Sequence, residues 1–137
     1  MFTTYFLDLI VGNVMHASSA KPIPSSYYVG LSTVLPTDAA GTGFKEPTGG
    51  DYARSQIKAM STPSDGSSQN IEDIEFIEAM SNWGVIKAYG IFDTSGKGSG
   101  NLLMYDAVTP EQNIVTGNQA RFKAGQLNVK ITNAVKA

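Results

Sequence analysis

Trp83-Gly84-Val85-Ile86-Lys87-Ala88-Tyr89-Gly90-Ile91-Phe92 reads as the strongest strand of the chain. Side chains of a strand alternate between faces. Trp83, Val85, Tyr89 and Ile91 fall on one side, and Ile86, Ala88 and Phe92 on the other. Apolar character on both faces marks a central strand covered twice. Asp93-Thr94-Ser95-Gly96-Lys97-Gly98-Ser99-Gly100 follows, a hairpin loop by composition. Residues 102–108 are its return strand.

Toward the C-terminus, residues 110–117 read as a connection and 119–124 as a strand. Residues 127–132 show clean alternation. Gly125-Gln126 between them has the length of a two-residue hairpin turn. Toward the N-terminus, residues 71–77 admit two readings. Ile71, Ile74 and Ile77 have helical spacing, whereas Ile74 and Phe76 alternate as in a strand. The strand is preferred because the run is short and bounded by a turn at 61–68, with Pro63, Asp65 and Gly66. Residues 52–59 are a candidate strand. Residues 36–51 hold Pro36, Gly41, Gly43, Pro47, Gly49 and Gly50, a long loop too rich in breakers for regular structure. Long ordered loops often carry function. Residues 27–32 form a strand rich in aromatic and branched side chains.

Residues 3–16 read as a helix. Thr3 or Thr4 caps it, and Phe6, Leu9, Ile10, Asn13 and Val14 keep helical spacing. Apolar residues spread beyond one stripe, so the helix wants partners on two sides. Residues 17–26, with Pro22 and Pro24, are an extended linker. Residues 2–15 imitate a signal-peptide core, and Ser18-Ser19-Ala20 imitates a cleavage site. No basic residue precedes the run, however, and Asp8 interrupts it, so an amphipathic helix is the better reading. The expected fold is mainly β: one antiparallel β-sandwich or barrel of about seven strands with an N-terminal α-helix. Residues 1–20 form the helix and linker, a candidate anchor, and residues 21–137 the β domain.

Composition narrows the function. Hydrophobic residues are 42% and charged residues 16%, which excludes a disordered chain. So little charge suggests that part of the surface is normally covered, since interface cores are depleted in charge. The basic residues are scattered from Lys21 to Lys136, so neither nucleic acid nor a membrane surface is an expected partner. Cysteine is absent, which removes disulfides and thiolate metal sites. No apolar run is long enough to span a bilayer.

Chemistry-bearing residues are few. His16 ends the predicted helix, where the helix dipole favours it, and no carboxylate neighbours it in sequence. Glu72, Asp73, Glu75 and Glu78 could suggest a Ca²⁺ site, but a strand puts them on two faces, and a solvated edge is expected. Gly96-Lys97-Gly98 lacks the spacing and the following helix of a phosphate loop. Tyr27, Tyr28, Tyr52, Trp83, Tyr89 and Tyr105 are candidates for a sugar-stacking platform, although core or interface positions suit most of them. No catalytic, cofactor-binding or metal residue is assigned, no cofactor is expected, and the chain does not read as an enzyme.

Five passages in order resemble a family of small bacteriophage proteins described as tail-fibre or minor tail components. They are Tyr28-Val29-Gly30-Leu31-Ser32-Thr33 with Pro36-Thr37; Gly41-Thr42-Gly43, Glu46-Pro47, Gly49-Gly50 and Tyr52-Ala53-Arg54; Asn82-Trp83-Gly84 with Gly90-Ile91-Phe92-Asp93; Gly100-Asn101-Leu102-Leu103 with Tyr105; and Ala124-Gly125-Gln126-Leu127. Together they cover most of residues 28–131. Asp51 departs from the pattern, standing where Gly is expected. The resemblance implies no catalytic residues. Beside it, Arg54 reads as a donor to loop carbonyls or to Glu46. Trp83-Gly84 reads as an anchor indole next to a close backbone approach.

The expected function is a bacteriophage virion structural protein that binds other virion proteins, as a tail or tail-fibre component or as a capsid decoration or cement protein. It would be a homo-oligomer such as a trimer, located in the virion after assembly in the bacterial cytoplasm. The alternative is a carbohydrate-binding module that recognises a host surface.

Overall fold

A computed structural model describes residues 1–16 and 21–132. The Ser18-Ser19-Ala20 motif, and with it part of the expected linker, lies outside the described residues. The chain begins along the β domain. Thr3 N donates to Leu103 O at 2.9 Å and Tyr105 N to Met1 O at 3.0 Å, with Phe2 bridging antiparallel to Met104. Helix α1 (Thr4–Met15) follows directly. Thr3 is its N-cap, accepting from Phe6 N at 3.3 Å, while its hydroxyl donates to Leu102 O at 2.7 Å. One side chain therefore starts the helix and ties it to the sheet. Leu9 is buried, and Phe2, Tyr5 and Phe6 pack on the core. Leu7, Val11, Val14 and Met15 are exposed, so the protein's own domain covers only one side of the helix.

The strands are β1 (Tyr28–Ser32), β2 (Ser55–Gln56), β3 (Ser67–Gln69), β4 (Ile74–Glu78), β5 (Gly84–Phe92), β6 (Leu102–Ile114), β7 (Gln119–Phe122) and β8 (Asn128–Lys130). All pairings are antiparallel. One four-stranded sheet has the order β2-β1-β5-β6, and two ribbons pair β3 with β8 and β4 with β7. The strand β5 lies inside the large sheet, as expected, but its double cover is incomplete: Ile86, Ala88, Ile91 and Phe92 are buried, while Val85 and Lys87 are exposed. Val29, Leu31, Ile91, Leu103 and Met104 join Ile74 and Phe76 of β4 and Leu127 beside β8 in one core. Elsewhere on the sheet, the 36–51 loop brings Phe44 and Glu46 against Gly90 and Gly30.

The fold is mainly β with an N-terminal helix, as expected, but details differ: the candidate strand at 52–59 shortens to Ser55–Gln56. Among the described residues the sheets do not close into a barrel. Among the described residues eight strands form where about seven were expected: Ser67 and Ser68, read as the end of a turn, join Gln69 in strand pairing from Ser67↔Lys130 to Gln69↔Asn128. The sixth strand runs through Pro110 to Ile114 instead of ending near Val108. It does so by looping out residues 108–111, since Ile86 pairs with Gln112 while Ala88 pairs with Ala107. A proline is tolerated in such a bulge on an edge strand because no ladder hydrogen bond is asked of it. Finally, Gly125-Gln126 does not make a hairpin. The strands before and after it belong to different ribbons, and the turn carries the chain from one to the other.

Candidate functional site

The most buried charges lie where the two glycine-rich loops meet. Arg54 and Glu46 have side chains only 1% and 7% exposed. Arg54 grips the carboxylate with both prongs, Nε to Oε1 at 2.8 Å and Nη2 to Oε2 at 3.0 Å. Its Nη1 donates to the carbonyls of Thr94 and Ser99, each at 2.9 Å. The guanidinium stacks over Phe92, 3.6 Å from the ring centroid. Both partners foreseen for Arg54, loop carbonyls and Glu46, are therefore used.

Glu46 is saturated. Oε1 also accepts from Tyr52 Oη at 2.9 Å, and Oε2 from Gly98 N at 2.8 Å. Four donors fill the four acceptor positions of a carboxylate. Burial alone would raise its pKa, but the Arg54 hydrogen bond, the Gly98 N–H, the Arg54 charge and the Tyr52 hydroxyl together hold it below the ordinary value. Tyr52 accepts in turn from Leu31 N at 2.8 Å. Burial first, and then the Glu46 charge, push its hydroxyl pKa well up. The whole network shapes loops. It offers no unfilled lone pair on Glu46 with which to take a substrate proton.

A second tie ends the long loop. Asp51 accepts from the Ser81 hydroxyl, from Met80 N at 2.7 Å and from Trp83 Nε1 at 3.1 Å. The Ser81 and Met80 bonds, with help from Trp83, bring its pKa down to about 2. The residue that departs from the family pattern thus has work of its own, tying the loop to the turn before β5. Gly84 corrects an expectation. Its nearest Cβ contact would be Thr33 Cγ2 at an ordinary 3.8 Å, so close approach does not require glycine here; its φ of +92° does.

The other candidates separate. His16 is exposed at the C-cap, its backbone N–H bonded to Gly12 O. Glu72, Asp73, Glu75 and Glu78 are all exposed. Glu75 pairs with Arg121 across β4 and β7 at 3.4 Å, and Asp73 accepts from Ala124 N. Among the described residues no three His, Asp or Glu side chains are grouped to hold a metal ion, and no helix is long and apolar enough to cross a membrane. Lys97 lies 5.7 Å from the Tyr52 ring, and strand β6 follows its loop. Tyr52, Trp83 and Tyr105 are buried, so they form no open stacking platform. Tyr52 and Trp83 instead meet edge to face at 5.2 Å inside the core. Tyr27 and Tyr89 are half-buried, each lining a cleft of about 730 Å³.

Fold and site together define a small, mainly β protein whose buried polar groups fix loop shape. The chain belongs to the family of the Podophage GP4 fiber I protein gp80, whose family model matches residues 2–130. The likeness to tail-fibre proteins read from residues 28–131 is thereby confirmed, and the match extends over α1 as well. Membership of a phage fibre family supports a structural role in the virion. No curated protein matches the chain.

Proposed function

We propose that this chain is a non-enzymatic component of a phage tail fibre that works by binding other virion proteins, in a homo-oligomer such as a trimer. The fibre family favours the tail over capsid decoration. The observation that carries the binding role is the outer stripe of α1. Leu7, Val11 and Val14 recur at helical spacing and are 46%, 59% and 74% exposed, with Met15 beside them at 77%. Asp8 is the only charged residue of the helix. Apolar stripes of this kind are covered in assemblies. A helix that lies on a lipid surface would carry Lys or Arg on its polar face, and α1 has neither.

Particle incorporation tests the reading. Leu7→Ser with Val11→Ser removes two exposed apolar groups and should leave the melting temperature unchanged. Particles assembled with the double variant should contain less of this chain than wild type. Equal incorporation would refute the assembly role of the helix. Light scattering on the purified chain tests the oligomer, and a monomer at high concentration counts against it.

A further inference from the structure

The cleft beside Tyr89 lies between the second half of β6 and β7. Tyr89 and Phe122 form its aromatic wall, their centroids 5.2 Å apart and their planes at 65°. Gln112, Asn113, Asn118, Gln119 and Gln126 line it as well. Arg121 is the only charged residue in the described lining, and Glu75 already holds its Nε.

Four of these amides are anchored at one end by backbone. Gln119 Nε2 donates to Phe76 O at 2.8 Å, and Gln112 Nε2 to Pro110 O at 3.1 Å. Gln126 Oε1 accepts from Lys123 N at 2.7 Å, and Asn118 Oδ1 from Val115 N at 3.1 Å. Each bond engages one end of the amide and leaves its opposite end for a ligand: an acceptor oxygen on Gln119 and Gln112, a donor nitrogen on Gln126 and Asn118. Asn113 adds a further donor and acceptor. Groups ordered before binding lose less freedom when the ligand arrives.

The chemistry selects a ligand. Sugar hydroxyls donate and accept at once, and the C–H face of a pyranose packs on an aromatic ring. Donors and acceptors around Tyr89 and Phe122 meet both needs. A phosphate-rich polymer would require several cations, and one is present. A purely apolar ligand would bury amides without partners. A peptide strand would extend the β6 ladder, but residues 108–111 bulge out there and Pro110 has no N–H to offer. We propose that this cleft binds a neutral oligosaccharide, with Tyr89 as the stacking surface and the five amides as hydroxyl partners. This goes beyond the assembly role and does not rest on it. A cleft of about 730 Å³ lies within the usual range for ligand sites, roughly 300–1,000 Å³.

The test is a titration of the full ¹⁵N-labelled chain with maltotriose, cellotriose and chitotriose. At least one should give saturable shifts in the Asn and Gln side-chain amides of the cleft and in the Tyr89 backbone signal. Asn113→Ala and Gln112→Ala, both at exposed positions, should each weaken that binding by about tenfold and leave the thermal melt unchanged. The proposal is overturned if none of the three sugars produces saturable shifts, or if the shifts fall elsewhere on the surface. It is equally overturned if Asn113→Ala and Gln112→Ala bind as wild type does, or if tetra-alanine shifts the cleft and the sugars do not. Particle incorporation of Asn113→Ala should remain normal, which separates this site from the assembly surface.

Discussion

Gly30 and Gly90 lie opposite one another across β1 and β5, and neither has room for a Cβ. At Gly30 the added carbon would come within 2.8 Å of Glu46 Oε1 and 2.9 Å of Phe92 Cε2. At Gly90 it would meet Leu102 Cδ1 at 2.6 Å and Phe44 Cε2 at 2.9 Å. The pair is the floor on which the 36–51 loop is laid. Two glycines facing each other in a sheet cost packing and backbone entropy, but here they let a whole loop approach the strands.

Gly30→Ala should destabilise the fold more than Gly90→Ala. The first pushes on a carboxylate held by four donors, which cannot step aside without losing bonds. The second pushes first on the free end of a leucine. Overpacking of this kind costs about 1–3 kcal/mol, and Gly30→Ala belongs at the upper end. Urea midpoints of the two variants decide the order, and a larger loss for Gly90→Ala would contradict it.

Removing Arg54 leaves Glu46 buried without its counter-charge. Arg54→Ala should therefore cost about 3–5 kcal/mol. Adding Glu46→Gln to it should recover part of the loss, because the stranded charge is then gone. Arg54→Lys keeps the charge but loses the fork and the reach to Thr94 and Ser99, so it should fall between wild type and Arg54→Ala. Denaturant titration of the four proteins checks the order. A double variant less stable than Arg54→Ala alone would contradict the account.

Acid should loosen the loops before it unfolds the core. The Asp51 carboxyl titrates at about 2 in the folded protein against an ordinary 3.8. A depressed pKa stabilises the fold while the group is ionised. That contribution is complete above the ordinary value and is lost as the pH falls toward 2. Glu46 is lowered from an ordinary 4.5 and acts in the same direction. Melting temperature should thus decline with pH below about 4.5. In Asp51→Asn the decline should be shallower and the neutral-pH melting temperature lower. An acid limb of unchanged slope in Asp51→Asn would exclude Asp51 as a contributor.

Residues 1–16 are best counted with the β domain, as a reading that deletion can test. Their removal would strip Thr3 and Phe2 from the edge of β6 at residues 102–105 and expose core that Tyr5 and Phe6 pack against. The truncated chain should melt at a lower temperature and aggregate through the opened edge. A truncated chain as stable and soluble as wild type would return the segment to the role of a detachable anchor.

How far the sequence could be read depended on whether a residue's role was local. Thr3 caps a helix through an atom three residues away, so α1 was legible to within a residue. Ile74 and Phe76 alternate with exposed Glu75 and Ile77, and β4 was found by that period. Ser67-Ser68-Gln69 has no such signal and becomes a strand only because β8 pairs with it. Pro110 misled because a bulge cannot be told from a break without the partner strand. In the site, Arg54 follows the breaker-rich loop that holds Glu46, and so the pairing of the two could be read from the sequence. Their partners Thr94, Ser99 and Gly98 come from more than 39 residues away along the chain and left no sign. The amides of the Tyr89 cleft went unnoticed for the same reason, since only the β6 bulge and β7 bring them together.

Trp83 offers the sharpest separation between a core role and a recognition role. It is 3% exposed, meets Tyr52 and Phe76 edge to face, and donates to Asp51 at the end of the long loop. Trp83→Ala removes the aromatic contacts, leaves a cavity and strands one acceptor, so it should cost about 3–5 kcal/mol. Trp83→Phe keeps most of the ring packing and loses chiefly the indole hydrogen bond, whose net worth is about 1 kcal/mol. The melting temperatures should therefore fall in the order wild type, Trp83→Phe, Trp83→Ala. Sugar binding at the Tyr89 cleft should survive in Trp83→Phe, since Trp83 does not line that cleft. A Trp83→Ala protein that melts like wild type and has lost its oligosaccharide would show the indole to be a stacking surface, and would overturn both its place in the core and the assignment of the cleft.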